Sequence, residues 1–219
     1  MIRLDIGSSS VVGQVRSANE DSLLVADGLA VVADGMGGHR GGAVASAEAV
    51  GAIGEAEGSR SLDDLVRTVH LANRRISERA SQDPDLRGMG TTVCVVGLVR
   101  RDGADELAIL NVGDSRVYLR TGGELVQLSE DHSLVESLVK DGQITEEEAL
   151  GHPQRNVLTR ALGVEPVVAV DAWLLSPGAG DRLLLCSDGL TNELDEDRIA
   201  KVLGDADTPE VTARRLTSE

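Results

Sequence analysis

Three apolar runs in this 219-residue chain end alike. LAVVADG, LAILNVGDS and RLLLCSDG each place an aspartate (Asp34, Asp114 or Asp188) just past a β-like stretch and before Gly or Ser. One Asp-Gly after a strand is ordinary turn chemistry. Three such ends are harder to assign to turns. Neighbouring strand ends converge on one rim of a sheet, and converged carboxylates repel one another unless a cation lies between them. Glu20 and Asp21, in SANEDS, precede a further apolar run and extend the acidic set.

The candidate ligands are almost all oxygens. His39, His70, His132 and His152 are scattered without an HExxH-like spacing, and no Asp-x-Asp-x-Asp-Gly calcium loop occurs. Oxygen-only sites suit Mg²⁺ or Mn²⁺. Two such ions about 3.5–4 Å apart acidify a bridging water and clamp a phosphoryl oxygen. That chemistry needs no protein nucleophile, and neither GxSxG nor a Ser or Cys beside a base is present. The glycine-rich loop DGMGGHRGG lacks both the Lys-Ser/Thr ending of a P-loop and GxGxxG spacing. Its glycines let backbone crowd a metal, with the Gly35 carbonyl as an available ligand.

Short strands must carry these acids. The pattern predicts strands over Ser22–Val25, Leu29–Ala33, Thr91–Val99, Glu106–Val112, Ser115–Arg120, Leu125–Gln127, Val167–Trp173 and Asp181–Cys186. A helix is expected from near Gly42, and a second over SLDDLVRTVHLANRRISERAS. There Ser61 serves as N-cap, and Leu62, Leu65, Val66, Val69 and Ile76 form the apolar stripe. Residues 133–162 form a helical insertion, and one last helix closes the chain. Most strands follow one another without a helix between them, which argues for α+β with antiparallel sheets. With no repeat or low-complexity linker, one domain over 1–219 is expected.

Composition narrows the function. There is no Phe, one Trp (Trp173) and one Tyr (Tyr118), so a base-stacking surface has almost nothing to draw on. A formal charge of −16 repels nucleic acid and anionic membranes. Cys94 and Cys186 lie inside apolar runs, where buried reduced thiols belong. The N-terminus has no apolar signal segment and no run reaches the length of a membrane span, so a soluble cytoplasmic protein is expected.

On these residues the chain resembles the type 2C metal-dependent Ser/Thr protein phosphatases in their compact bacterial form. The matches follow the family's order: RSANEDS, VADGMGGH, GMGTT, NVGDSRVYL, LSEDHS, HPQRNVLTRALG and LLLCSDGL. The resemblance implies two antiparallel β-sheets packed as a sandwich flanked by helices, with a dinuclear Mg²⁺/Mn²⁺ centre at one end. By position, it implies that Asp34 bridges both metals, that the Gly35 carbonyl binds one and Asp188 the other, and that Glu20 acts through water. Arg16 is implied to grip the substrate phosphate with its guanidinium fork. Asp114 corresponds to an acid that helps hold a third, looser metal, and Asn156 falls where some members carry Ser as its partner ligand. Residues 133–162 match the mobile flap beside the cleft. The implied activity is hydrolysis of phosphoserine and phosphothreonine in proteins by a metal-bridging water. The implied partners are phosphoproteins, Ser/Thr kinases and their targets, met by a monomer.

Two departures stand out. Where animal members carry His after the Asp-Gly, this chain has Met36, which leaves His39 or metal-held water to protonate the leaving alkoxide. The family's closing Gly-Gly-x-Asp-Asn and Val-rich strand do not occur; the sequence stops at ARRLTSE. Truncation before a C-terminal strand is the expectation, since every upstream ligand position is intact. The alternative is a phosphoprotein-binding module impaired by loss of that Asp. A phosphatase dedicated to anti-sigma-factor antagonists ranks lower, as no sensor-like segment accompanies the domain.

Overall fold

The structure, a computed structural model, describes residues 2–13, 18–37, 40–55, 61–205 and 207–219. First along the chain come β1 (Asp21–Ala26), β2 (Leu29–Met36), α1 (Gly41–Gly54) and α2 (Leu62–Gln82). The two-residue β3 (Gly90–Thr91) follows, then β4 (Val93–Arg101), β5 (Ala104–Val112), β6 (Arg116–Thr121) and β7 (Glu124–Gln127). Next are α3 (Leu134–Lys140), α4 (Glu146–Leu150), β8 (Asp171–Leu175) and β9 (Arg182–Cys186). The last elements are α5 (Asp188–Thr191), α6 (Glu196–Gly204) and α7 (Pro209–Leu216).

All strand pairs are antiparallel, as the helix-free connections require. The larger sheet runs β1-β2-β4-β5-β8 with β3 beside β2, and the smaller runs β7-β6-β9. Alternation along each strand then sorts side chains into layers. Val93, Val95 and Val99 of β4 meet α1 and α2, whose Ala45, Ala49, Leu65, Val69 and Ile76 are buried against them. Cys94 and Val96 of the same strand face the other way, toward Val117, Leu183 and Leu185 of the smaller sheet. Leu184 points outward again and packs under Ile199, Val202 and Leu203 of α6. Helices, sheet, sheet and helices thus stack in four layers, the sandwich expected from the resemblance. Each fully buried Val, Leu or Ile contributes about 1.5–3 kcal/mol.

Local chemistry sets the helix starts. Ser61 caps α2 by accepting the Asp64 N–H at 3.1 Å, and Thr145 and Glu148 form a capping box on α4.

The strand expected over Val167–Trp173 instead begins at Asp171. Its partner explains the shift. β5 pairs with β8 only as far as Asn111↔Asp171, because beyond Val112 the chain turns at Gly113 and leaves residues 167–170 without a ladder. Thr91–Val99 divides at Thr92, whose hydroxyl is taken by Asp34 and Ser115. Three short helices, not one, follow β9. Residues 154–162 form no helix and are held by turns and by bridges at Leu158 and Leu162.

Candidate metal centre

The β1–β2 hairpin places Asp21 directly opposite Asp34. The carbonyl of Glu20 accepts the Gly35 N–H at 3.2 Å and the Ser46 hydroxyl of α1 at 2.6 Å. The backbone of Asp34 is pinned on both sides by the two threonines of GMGTT. Its N–H donates to Thr92 Oγ1 at 3.0 Å, and its carbonyl accepts Thr91 Oγ1 and the Thr92 N–H, each at 2.9 Å. Thr92 Oγ1 also meets Ser115 Oγ at 2.7 Å, joining this strand end to the turn that carries Asp114. Asp188 opens α5 straight after β9, and the preceding Ser187 donates its hydroxyl to Asp21 Oδ2 at 2.8 Å.

Backbone closeness here depends on glycine. A Cβ on Gly42 would stand 2.7 Å from both the Gly35 carbonyl oxygen and Glu20 Oε1, so α1 could not begin where it does.

These elements enclose a cavity of about 310 Å³ lined by Glu20, Asp34, Gly35, Asp114, Asn156 and Asp188, with Thr92, Met36 and Leu158 between them. Its electrostatics are strained. Burial, then the charges of Asp21 and Asp188, then a hydrogen bond with Asp188, push the Asp34 carboxyl up to about 9. Burial and the charges of Asp188 and Asp131 raise Asp114 to about 6, against the pull of its backbone hydrogen bond and Arg116. Carboxylates crowded this way repel one another, and their oxygens are the donors a hard divalent cation takes. The residues therefore fit Mg²⁺ or Mn²⁺. Among the described residues no group of three His, Cys, Asp or Glu side chains is set to hold an ion by itself. The acids ring the cavity, so an ion there would draw on the Gly35 carbonyl and water as well.

The structure thus brings together Glu20, Asp34, Gly35, Asp114, Asn156 and Asp188. Arg16 and His39, the expected phosphate grip and proton donor, lie outside the described residues. Sequence reasoning counted Asp21 among the acids without a defined place, and gave no role to Thr91, Thr92 or Ser115. The signal for Asp21 was its register opposite Asp34, which exists only once the hairpin is paired. Both cysteines are free and buried, as expected; Cys94 Sγ donates to Asn111 Oδ1 at 2.9 Å.

Residues 14–214 match the Protein phosphatase 2C family. The chain is 42% identical over 204 residues to the Serine/threonine phosphatase stp of Listeria monocytogenes, covering 87% of this chain and 79% of the relative. It superposes on the crystal structure of the Mycobacterium tuberculosis serine/threonine phosphatase PstP/Ppp with a TM-score of 0.86 at 38% identity, over 94% of this chain and 87% of that one. A catalytic domain of PstP solved in complex with 2 manganese ions gives a TM-score of 0.82 at 35% identity, over 94% and 86% of the two chains.

Proposed function

Since this chain belongs to the Protein phosphatase 2C family, we propose that it hydrolyses phosphoserine and phosphothreonine in proteins with the help of Mg²⁺ or Mn²⁺, reversing Ser/Thr kinase signalling. The observation that carries this reading is the acid-lined cavity itself. Glu20, Asp34, Asp114 and Asp188 would repel a phosphate dianion, yet buried carboxyls this crowded suit cations that would attract one.

Asp34, Asp188 and the Gly35 carbonyl are the direct ligands in this reading, with Glu20 acting through water. Asp114 and Asn156 would hold a third, looser ion. Bound there, the ions supply Lewis acidity and lower the pKa of water at the phosphorus. Without a cation, Asp34 keeps its proton at neutral pH; as a ligand it must release it. Thr91 and Thr92 fix the Asp34 backbone from both sides, so little reorganisation is needed when the carboxylate is engaged. Arg16 grips the phosphate and His39 protonates the leaving alkoxide, with water as its competitor. Residues 133–162 form the flap. It carries α3 and α4 and is closed at its stem by the Ser133↔Leu158 bridge. Phosphoproteins, including kinases and their targets, are the partners. Among the described residues no helix is long and apolar enough to cross a membrane.

The deciding experiment follows phosphate release from a phosphothreonine peptide as Mn²⁺ is titrated in and then removed with EDTA. Turnover that rises with Mn²⁺ and stops with EDTA supports the reading. Peptide binding without turnover at any Mn²⁺ concentration would replace it with the phosphoprotein-binding module.

A further inference from the structure

His132 has no part in the site as described, yet it is the residue most closely tied to the turn that carries Asp114. Its imidazole is buried, with 2% of the side chain exposed. The Gly113 N–H donates to Nδ1 at 3.0 Å, and the His132 backbone N–H donates back to the Gly113 carbonyl at 3.0 Å. Both polar groups of one glycine are therefore held by one histidine. Asn111 Nδ2 adds a second bond to the same carbonyl, at 3.2 Å.

This grip has a reason to exist. Gly113 has a φ of +105°, a conformation L side chains rarely adopt, and a Cβ there would come within 2.6 Å of Thr92. A turn of this kind has many alternatives, and Asp114 would follow each of them. Because Nδ1 accepts, the ring proton sits on Nε2, which faces Asp171 Oδ2 at 3.1 Å. Asp171 in turn accepts from Arg160 Nη1 at 2.6 Å. On its other side the His132 carbonyl accepts the Thr159 N–H at 2.8 Å, and Leu134 N–H donates to the Val157 carbonyl at 2.8 Å. The backbone at His132 therefore joins the stem of the 133–162 insertion to the Asp114 turn.

We propose that His132 is a positioning residue: as a neutral imidazole with its proton on Nε2, it clamps Gly113 so that Asp114 is presented to the weakest metal position. Asp171 fixes the tautomer that makes Nδ1 an acceptor. This rests on the metal-centre reading above, although the clamp itself can be tested without a metal.

Two substitutions separate the ring's nitrogens. His132→Asn leaves an acceptor near the Nδ1 position and removes the link to Asp171. His132→Gln leaves an amide near the Nε2 position and removes the acceptor for Gly113. Both give up part of the ring's volume, so a lowered Tm is expected in each and does not distinguish them. The first readout is hydrogen exchange at the Gly113 amide in metal-free protein, expected to quicken by about tenfold or more in His132→Gln and to stay protected in His132→Asn. The second is Mn²⁺ binding by calorimetric titration. His132→Gln should weaken the weakest ion by about tenfold, the usual effect of losing a ligand's supporting partner, and leave the tight ions unchanged. Equal exchange in the two variants, or equal loss of every Mn²⁺ ion in both, would overturn the clamp. If Gly113 exchange separates the variants while the wild-type chain binds no Mn²⁺, the metal-centre reading fails and Asp114 positioning fails with it.

Discussion

Replacing Asp34 with Asn should stabilise the protein and disable it at once. The carboxyl stands at about 9 in the folded chain against an ordinary 3.8, through burial first and then the charges of Asp21 and Asp188. Each tenfold step in acidity is worth about 1.36 kcal/mol, so at a working pH of about 7.5 the cost to the metal-free fold has a ceiling of about 5 kcal/mol. Side-chain relaxation and water entry lower this, since an effective dielectric near 20 describes such sites better than 4. A cost of about 1–3 kcal/mol remains. Asn is neutral without taking up a proton, changes the volume little and can donate to the neighbouring Asp188. In EDTA, Asp34→Asn should therefore melt about 2–12 °C above the wild type, at roughly 2–4 °C per kcal/mol for a chain of this size. Mn²⁺ should reverse the order. An ion at a hundred times its Kd adds about 2.7 kcal/mol to the wild type and far less to the variant. Differential scanning calorimetry with EDTA and with excess Mn²⁺ reads both effects, alongside turnover of a phosphothreonine peptide, which the variant should lose. A variant no more stable than wild type in EDTA, or equally stabilised by Mn²⁺, would refute the account of Asp34 as a carboxyl that burial keeps protonated until a cation replaces the proton.

The same electrostatics set a pH dependence. Folded values of about 9 for Asp34 and about 6 for Asp114 lie above the ordinary 3.8, so the fold holds these protons more tightly than the unfolded chain does. Their contribution is fully present below about 3.8 and is lost as pH rises through 6 toward 9, so Tm in EDTA should fall over that window, and Asp34→Asn should flatten its upper half. Gly42→Ala should cost about 1–3 kcal/mol and weaken Mn²⁺ binding, because its Cβ would press on the Gly35 carbonyl; unchanged binding by calorimetric titration would argue against that carbonyl as a ligand. Arg116 donates to Asp131 through Nε and Nη2 and to Tyr118 through Nη1, and Arg116→Met should cost about 3 kcal/mol by leaving Asp131 with only the Gln127 amide in place of its cation, measured by urea unfolding. Leu150, 79% exposed on α4, should accept Ser within about 0.5 kcal/mol of stability, while KM for a phosphopeptide rises at unchanged kcat if the insertion contacts substrate.

The acids of the site were legible from sequence alone because each depends on a local pattern. An apolar alternating run followed by Asp and a small residue marks a strand end, and a chain of strands without crossover helices marks antiparallel sheets. Glu20, Asp34, Gly35, Asp114, Asn156 and Asp188 could all be named this way or by resemblance, and all line one cavity. The cap on α2 was equally local, since Ser61 reaches only to Asp64. What escaped depends on pairings between segments far apart in sequence. Val167–Val170 looked like strand because its residues suit one; it lacks a ladder because β5 ends at the Gly113 turn, which no property of Val167 encodes. Thr91 and Thr92 read as ordinary strand residues until β3 lies beside β2 and their hydroxyls reach Asp34. His132 read as a scattered histidine until Gly113 and Asp171, from 19 and 39 residues away, closed on its two nitrogens. Residue type and spacing determined which groups carry the chemistry. The tertiary fold decided which neighbours orient them and how far their protons are displaced, because hydrogen bonds and desolvation depend on what is close in space, and sequence order does not state that.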